Sequence, residues 1–97
     1  MAKVTRVKLS PYDSAAYLKT EEDVANYLDA IFEDGDPALI AHGLGVVARS
    51  KGMAKIARKT GLGRESLYKA LSKDGNPGFL TVLKVVNALG YKLKLAA

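Results

Sequence analysis

The chain has 97 residues, 48% of them hydrophobic, which is enough for one folded domain and too few for two independent cores. It contains no cysteine, which excludes disulfides, thiol catalysis and thiolate metal sites. The net charge is +5, and its distribution along the chain is more telling than the total.

Residues Lys3 to Leu9 alternate weakly, with Val7 and Leu9 between Arg6 and Lys8, and predict a short strand or arm. The charges at Lys3, Arg6 and Lys8 interrupt the apolar run that a secretory leader needs, and no stretch reaches the roughly 20 apolar residues of a membrane span. A cytoplasmic protein is expected. Ser10-Pro11-Tyr12-Asp13 is turn chemistry, so residues 1–19 are expected as an arm and 20–97 as the folded domain.

Thr20 is placed as a helix N-cap, with Glu21, Glu22 and Asp23 in the first turn and Asp23 completing a shortened capping box. Val24, Leu28, Ile31 and Phe32 form one apolar stripe, and Gly35 is available for a left-handed stop. Asp36-Pro37 opens a second helix with Ile40, Leu44 and Val47 on its buried stripe. Gly43 and Gly45 inside it each cost about 1 kcal/mol against Ala, which predicts close helix packing there. After Gly52 a third helix covers Met53 to Thr60, and after the turn Gly61-Leu62-Gly63 a fourth runs from Arg64 to Ser72. The breaker run Asp74-Gly75-Asn76-Pro77-Gly78 precedes a fifth helix over Phe79 to Leu89, with Leu80, Leu83 and Val86 spaced at three. Tyr91-Lys92-Leu93-Lys94-Leu95 alternates apolar and basic residues and predicts a half-buried strand. The expected class is therefore mainly α: five helices, a short C-terminal β-strand and an N-terminal strand or arm.

Met53 to Ser72 meets the demands of a helix-turn-helix. The small residue at its fifth position is Ala57, the turn glycine at the ninth is Gly61, the plug after it is Leu62, and the buried fifteenth residue is Leu67, with Ile56 and Leu71 on the same inner face. A plain helical hairpin with this spacing is the competing reading. If the motif holds, Gly63, Arg64, Glu65, Tyr68, Lys69 and Ser72 face outward. Arg64 could fork onto guanine, Glu65 accept from cytosine, Tyr68 reach a phosphate or a thymine methyl, and Lys69 contact a phosphate. The plainer readings are helix-start charge for Arg64 and Glu65, and partial core packing for Tyr68. Lys55, Arg58 and Lys59, with Arg49 and Lys51 nearby, suit the helix that crosses the DNA backbone. One or two of them would serve solubility alone.

Charge is also segregated. Ser10 to His42 holds one lysine against eight acids, whereas Gly43 to the C-terminus holds eleven basic residues against Glu65 and Asp74. Two partners of opposite charge, or two solvated faces, would explain it. His42 is the only histidine and reads as structural; Ser66 and Ser72 have no triad partners; Gly61-x-Gly63 is a turn and not a phosphate loop. No enzymatic activity, catalytic residue, metal or cofactor is expected. A homodimer is expected, since palindromic operators need two recognition helices, with Phe79, Leu83, Tyr91, Leu93 and Leu95 as its contacts.

The runs G-D-P-A-L-I (Gly35 to Ile40), A-R-S-K-G-M-A-K-I-A-R-K-T-G-L-G-R-E-S-L-Y-K-A-L-S (Ala48 to Ser72) and G-N-P-G-F-L-T-V-L-K-V-V-N-A-L-G (Gly75 to Gly90) resemble the addiction-module antidote proteins. These are HigA-like antitoxins with an Xre or lambda-repressor-type helix-turn-helix. Ala15 to Leu18 and Val24 to Leu28 fit as well, so the likeness spans about Asp13 to Leu95. It implies a lambda-repressor-like fold, repression of its own operon through a double-stranded DNA operator, and a basic RelE/HigB-like toxin as partner. The acidic segment and the arm, with Val7, Leu9, Tyr12 and Tyr17, would then face the toxin. A phage-type repressor without a toxin, and a toxin-binding module that does not bind DNA, are the alternatives.

Overall fold

The computed structural model describes residues 18–72 and 74–95, which form five helices and no strand. The predicted arm, with Val7, Leu9, Tyr12 and Tyr17, lies outside the described residues.

Helix α1 spans Glu21–Asp34. Thr20 Oγ1 accepts from the Asp23 backbone N–H at 3.0 Å, and Asp23 Oδ2 accepts from the N–H groups of Thr20 and Lys19, each at 3.0 Å. The shortened box therefore closes with Asp at the third position, satisfying donors that a helix start leaves orphaned. Gly35 ends α1 at φ 80°, its N–H returning to the Ile31 carbonyl. Val24, Leu28 and Ile31 are buried as the stripe predicts; Tyr27 joins them, and Phe32 is half-buried.

Helix α2 covers Pro37–Lys51, with the Asp36 side chain accepting from the Ala38 N–H at 3.2 Å. Every residue from Gly43 to Ala48 is buried, because α1, α3 and α5 all pack on this helix. A helix covered on all sides has no polar face to write in the sequence, which is why three positions alone gave an incomplete stripe. The two interior glycines mark where neighbours come closest. A Cβ on Gly43 would stand 2.6 Å from Ile31 Cδ1, and one on Gly45 would stand 2.5 Å from the Leu71 carbonyl oxygen.

Gly52 (φ 103°) turns the chain into α3, Met53–Thr60. Helix α4 is Arg64–Ala70, shorter than the sequence suggested, with Leu71 as its C-cap. Helix α5 is Phe79–Ala88. Its inward residues are Val82, Val85, Val86 and Leu89, while Leu80 is 62% exposed and Leu83 half-buried. Of the three-spaced residues Val86 alone is buried: α5 is apolar on most of its circumference, so spacing alone cannot choose the core face.

The predicted strand at Tyr91–Leu95 is not formed. A strand needs a neighbour for its N–H and C=O groups, and alternation supplies only facing; no neighbouring strand lies among the described residues. The segment is tied down at its start. Tyr91 N–H donates to the Val86 carbonyl at 3.1 Å, and its hydroxyl donates to Glu21 Oε1 at 2.9 Å. Lys51 Nζ donates to the other oxygen, Oε2, at 2.5 Å. One carboxylate thus joins the start of α1, the end of α2 and the residues after α5. The Lys51 hydrogen bond, then the Tyr91 hydrogen bond and the Lys51 charge, hold the Glu21 carboxyl below its ordinary value. Burial, followed by the bond to Glu21 and its charge, pushes the Tyr91 hydroxyl up.

Gly45→Ala is expected to lower the unfolding free energy by about 1–3 kcal/mol in urea melts, since the Leu71 carbonyl it meets is backbone and cannot swing aside. Glu21→Gln tests the carboxylate. A carboxyl with a depressed folded value adds stability above its unfolded value and loses it as the pH falls through the folded one. The variant should be less stable than the parent at neutral pH, and the difference should vanish below the carboxylate range. The effect is small because Glu21 is open to solvent.

Candidate nucleic-acid interface

Helices α3 and α4 form one unit around a three-residue turn. Met53, Ile56, Ala57 and Thr60 of α3 are buried, and so are Leu67 and Leu71 at the other end of the unit. Ala57 supplies the small contact surface that lets the helices approach. Gly61 stands at φ 75°, where a side chain would be strained, and its N–H closes on the Ala57 carbonyl at 2.9 Å. Thr60 adds a lock the sequence reading did not anticipate. Its hydroxyl donates to the Ala57 carbonyl at 3.1 Å and accepts from the Leu62 N–H at 3.2 Å. Leu62 is half-buried against the core, as a plug should be.

With Leu67 and Leu71 inward, α4 turns a polar face to solvent. Gly63, its N-cap, is exposed in ordinary extended backbone at φ −69°. Arg64, Glu65 and Lys69 are exposed, and Tyr68 is 40% exposed and outside the core cluster. Arg64 Cζ lies 6.0 Å from the Tyr68 ring centroid. Ser72 is half-buried, and its hydroxyl donates to the Lys69 carbonyl at 2.9 Å. On α3, Lys55, Arg58 and Lys59 are exposed. Among the described residues none of these lysines and arginines has an ion-pair partner, whereas Lys51 is engaged with Glu21. Part of this charge also has a local cause: Arg58 and Lys59 occupy the last turn of α3, where the helix dipole favours cations.

The other predicted contacts lie elsewhere. Phe79 is 73% exposed and Leu95 fully so; Leu93 is exposed, Leu83 is half-buried, and Tyr91 is half-buried and bonded to Glu21. The acids Glu22, Asp29, Glu33, Asp34 and Asp36 are exposed on and just beyond α1. Sequence reasoning missed the Glu21–Lys51–Tyr91 cluster, whose members are 30 and 70 positions from Glu21 and carry no local signal. Among the described residues no three His, Asp or Glu side chains converge as metal ligands, and no helix is long and apolar enough to cross a membrane.

The family described as "Probable addiction module antidote protein" matches residues 8–97. An uncharacterized protein of Haemophilus influenzae strain Rd is 43% identical over 88 residues, which cover 91% of this chain and 91% of that protein. No solved structure matches.

Proposed function

Because the chain belongs to the addiction module antidote family, we propose that it is the DNA-binding antitoxin of a toxin–antitoxin module, which neutralises a RelE/HigB-like toxin and represses its own operon. The observation that carries the DNA half of this reading is the outward face of α4. A helix fixed to its neighbour by Ala57, Gly61, Leu67 and Leu71 exposes Arg64, Glu65, Tyr68 and Lys69, and α3 exposes Lys55, Arg58 and Lys59. In a major groove the N-terminal residues of such a helix meet base edges, and flanking cations meet phosphates.

Gly63, Arg64, Glu65, Tyr68, Lys69 and Ser72 are the proposed reading face, and Lys55, Arg58 and Lys59 the proposed backbone contacts. The exposed acids of α1 suit a basic toxin, together with Val7, Leu9, Tyr12 and Tyr17 of the preceding segment. The exposed Phe79, Leu93 and Leu95 favour a second copy, with Leu83 and Tyr91 at its edge. A dimer would carry two α4 helices to half-sites about 34 Å apart. No catalytic residue, metal or cofactor enters this reading, and the compartment it implies is the cytoplasm.

Gel shifts on the protein's own promoter test the DNA reading. Arg64→Ala should cost about 1–3 kcal/mol and relax preference at one base pair, whereas Lys69→Ala should weaken all duplexes alike and reduce the salt slope by about one unit. No shift by the parent protein at low salt would remove DNA binding and leave a toxin-binding module. Co-expression with the basic protein of a neighbouring gene should yield a complex that light scattering shows to hold two antitoxin chains. Retention of the toxin after deletion of residues 1–34 would refute the acidic surface as its site.

A further inference from the structure

Arg64 and Tyr68 lie one turn apart on the outer side of α4, at the i, i+4 spacing that brings side chains together. The guanidinium carbon stands 6.0 Å from the ring centroid, at the edge of the roughly 6 Å range for attraction between a cation and a π-face. Among the described residues the Tyr68 ring is the only partner of Arg64; its neighbour Glu65 makes no ion pair with it. The ring is not part of the core.

We propose that Tyr68 is a positioning residue for Arg64: its ring holds the guanidinium by one face and leaves the in-plane N–H donors free to fork onto guanine. The inference rests on the reading of α4 as a DNA-recognition helix and adds a division of labour within it. A guanidinium has two distinct recognition surfaces. The flat face stacks on aromatic rings; the edge carries five donors in a rigid fork. A carboxylate partner would occupy that edge and compete with the base, whereas a ring occupies the face and competes with nothing the base needs. A long arginine free in solvent must give up its rotamer freedom on binding, and a stack formed beforehand removes part of that loss. Within the reading face, Tyr68 thereby contributes to discrimination at the base that Arg64 meets by acting through Arg64. The step that matters is the ring, so Phe should replace Tyr and Leu should not.

The test uses the full chain in two measurements. In the free protein, NMR should show the Arg64 side-chain protons shifted upfield by the ring in the parent and in Tyr68→Phe, and unshifted in Tyr68→Leu. With promoter DNA, fluorescence anisotropy should show that Tyr68→Leu loses about tenfold of the preference for G·C at one position. Tyr68→Phe should keep that preference, and Tyr68→Leu should change nothing further in an Arg64→Ala background. An equal loss in that background would overturn the proposal by making Tyr68 an independent DNA contact, and so would the absence of a ring-induced shift. A parent protein that shows the shift but binds no duplex at low salt would refute the DNA reading itself, and the two failures are told apart by the spectrum.

Discussion

The contact on which the arrangement depends is the approach of Gly45 in α2 to the backbone at Leu71, just past the end of α4. There is no room for a methyl group between them. Leu71 is fully buried at that point, and Leu67, one turn earlier, is 1% exposed. Leu67 within this seven-residue helix and Leu71 at its C-cap fix its rotation about its own axis, and the glycine fixes how deep it sits. A helix this short has little stability of its own, since nucleation is costly and few backbone bonds repay it. Its orientation is therefore a property of α2 and α3, and every outward residue of α4 inherits its position from packing on the inward side. Gly75 repeats the device: a Cβ there would meet the Ala70 carbonyl oxygen, so the loop after α4 also lies tight against its end.

Local chemistry was legible in the sequence wherever a single backbone geometry had a single residue solution. Thr20 with Asp23, Asp36 with Pro37, and the glycines at Gly35 and Gly61 mark helix ends because caps and left-handed stops are made by residues near in sequence. The α3–α4 unit was legible for the same reason, since Ala57, Gly61, Leu62 and Leu67 lie within a few turns of one another. The faces of α2 and α5 were legible only in part: Leu44, Val47 and Val86 are buried as read, but Ile40 and Leu83 are half-buried and Leu80 is exposed. Both helices are apolar around most of the circumference, so choosing the buried side requires knowing the neighbours. The predicted strand failed through the same lack: Leu93 and Leu95 alternate with lysines, but pairing is a relation between two segments, and one segment cannot specify it. The Glu21 cluster stands at the far limit of this series. Glu21 had a sufficient local explanation at a helix start, and that explanation hid its distant partners.

The outward face of α4 shows why a candidate interface can be read from a sequence when its internal geometry cannot. Burial of Leu67 and Leu71 dictates which residues face solvent, and that inference needs the helical period alone. Where the Arg64 guanidinium rests is a different matter. It depends on rotamers, and an exposed arginine has many; the Tyr68 ring selects among them.

Charge segregation gives the fold its last constraint. A chain with an acidic first helix and basic third and fourth helices could pair its own faces, within itself or between copies, and so block both proposed partners. Two features work against this. Exposed charges farther apart than about 8–10 Å are screened at physiological ionic strength, which weakens attraction between faces not in contact. At the seam where the two signs do meet, the structure closes the contact itself: Lys51 and Tyr91 take both oxygens of Glu21. The charges of Glu21 and Lys51 are thereby engaged with one another. The exposed charges on each side are of one sign at its centre: Glu22, Asp29 and Asp34 along α1, and Lys55, Arg58, Lys59, Arg64 and Lys69 across α3 and α4, with Glu65 alone against them. An acid kept within a basic face adds nothing to attraction for phosphate; Glu65 stands in the first turn of α4, where the helix dipole favours an acid.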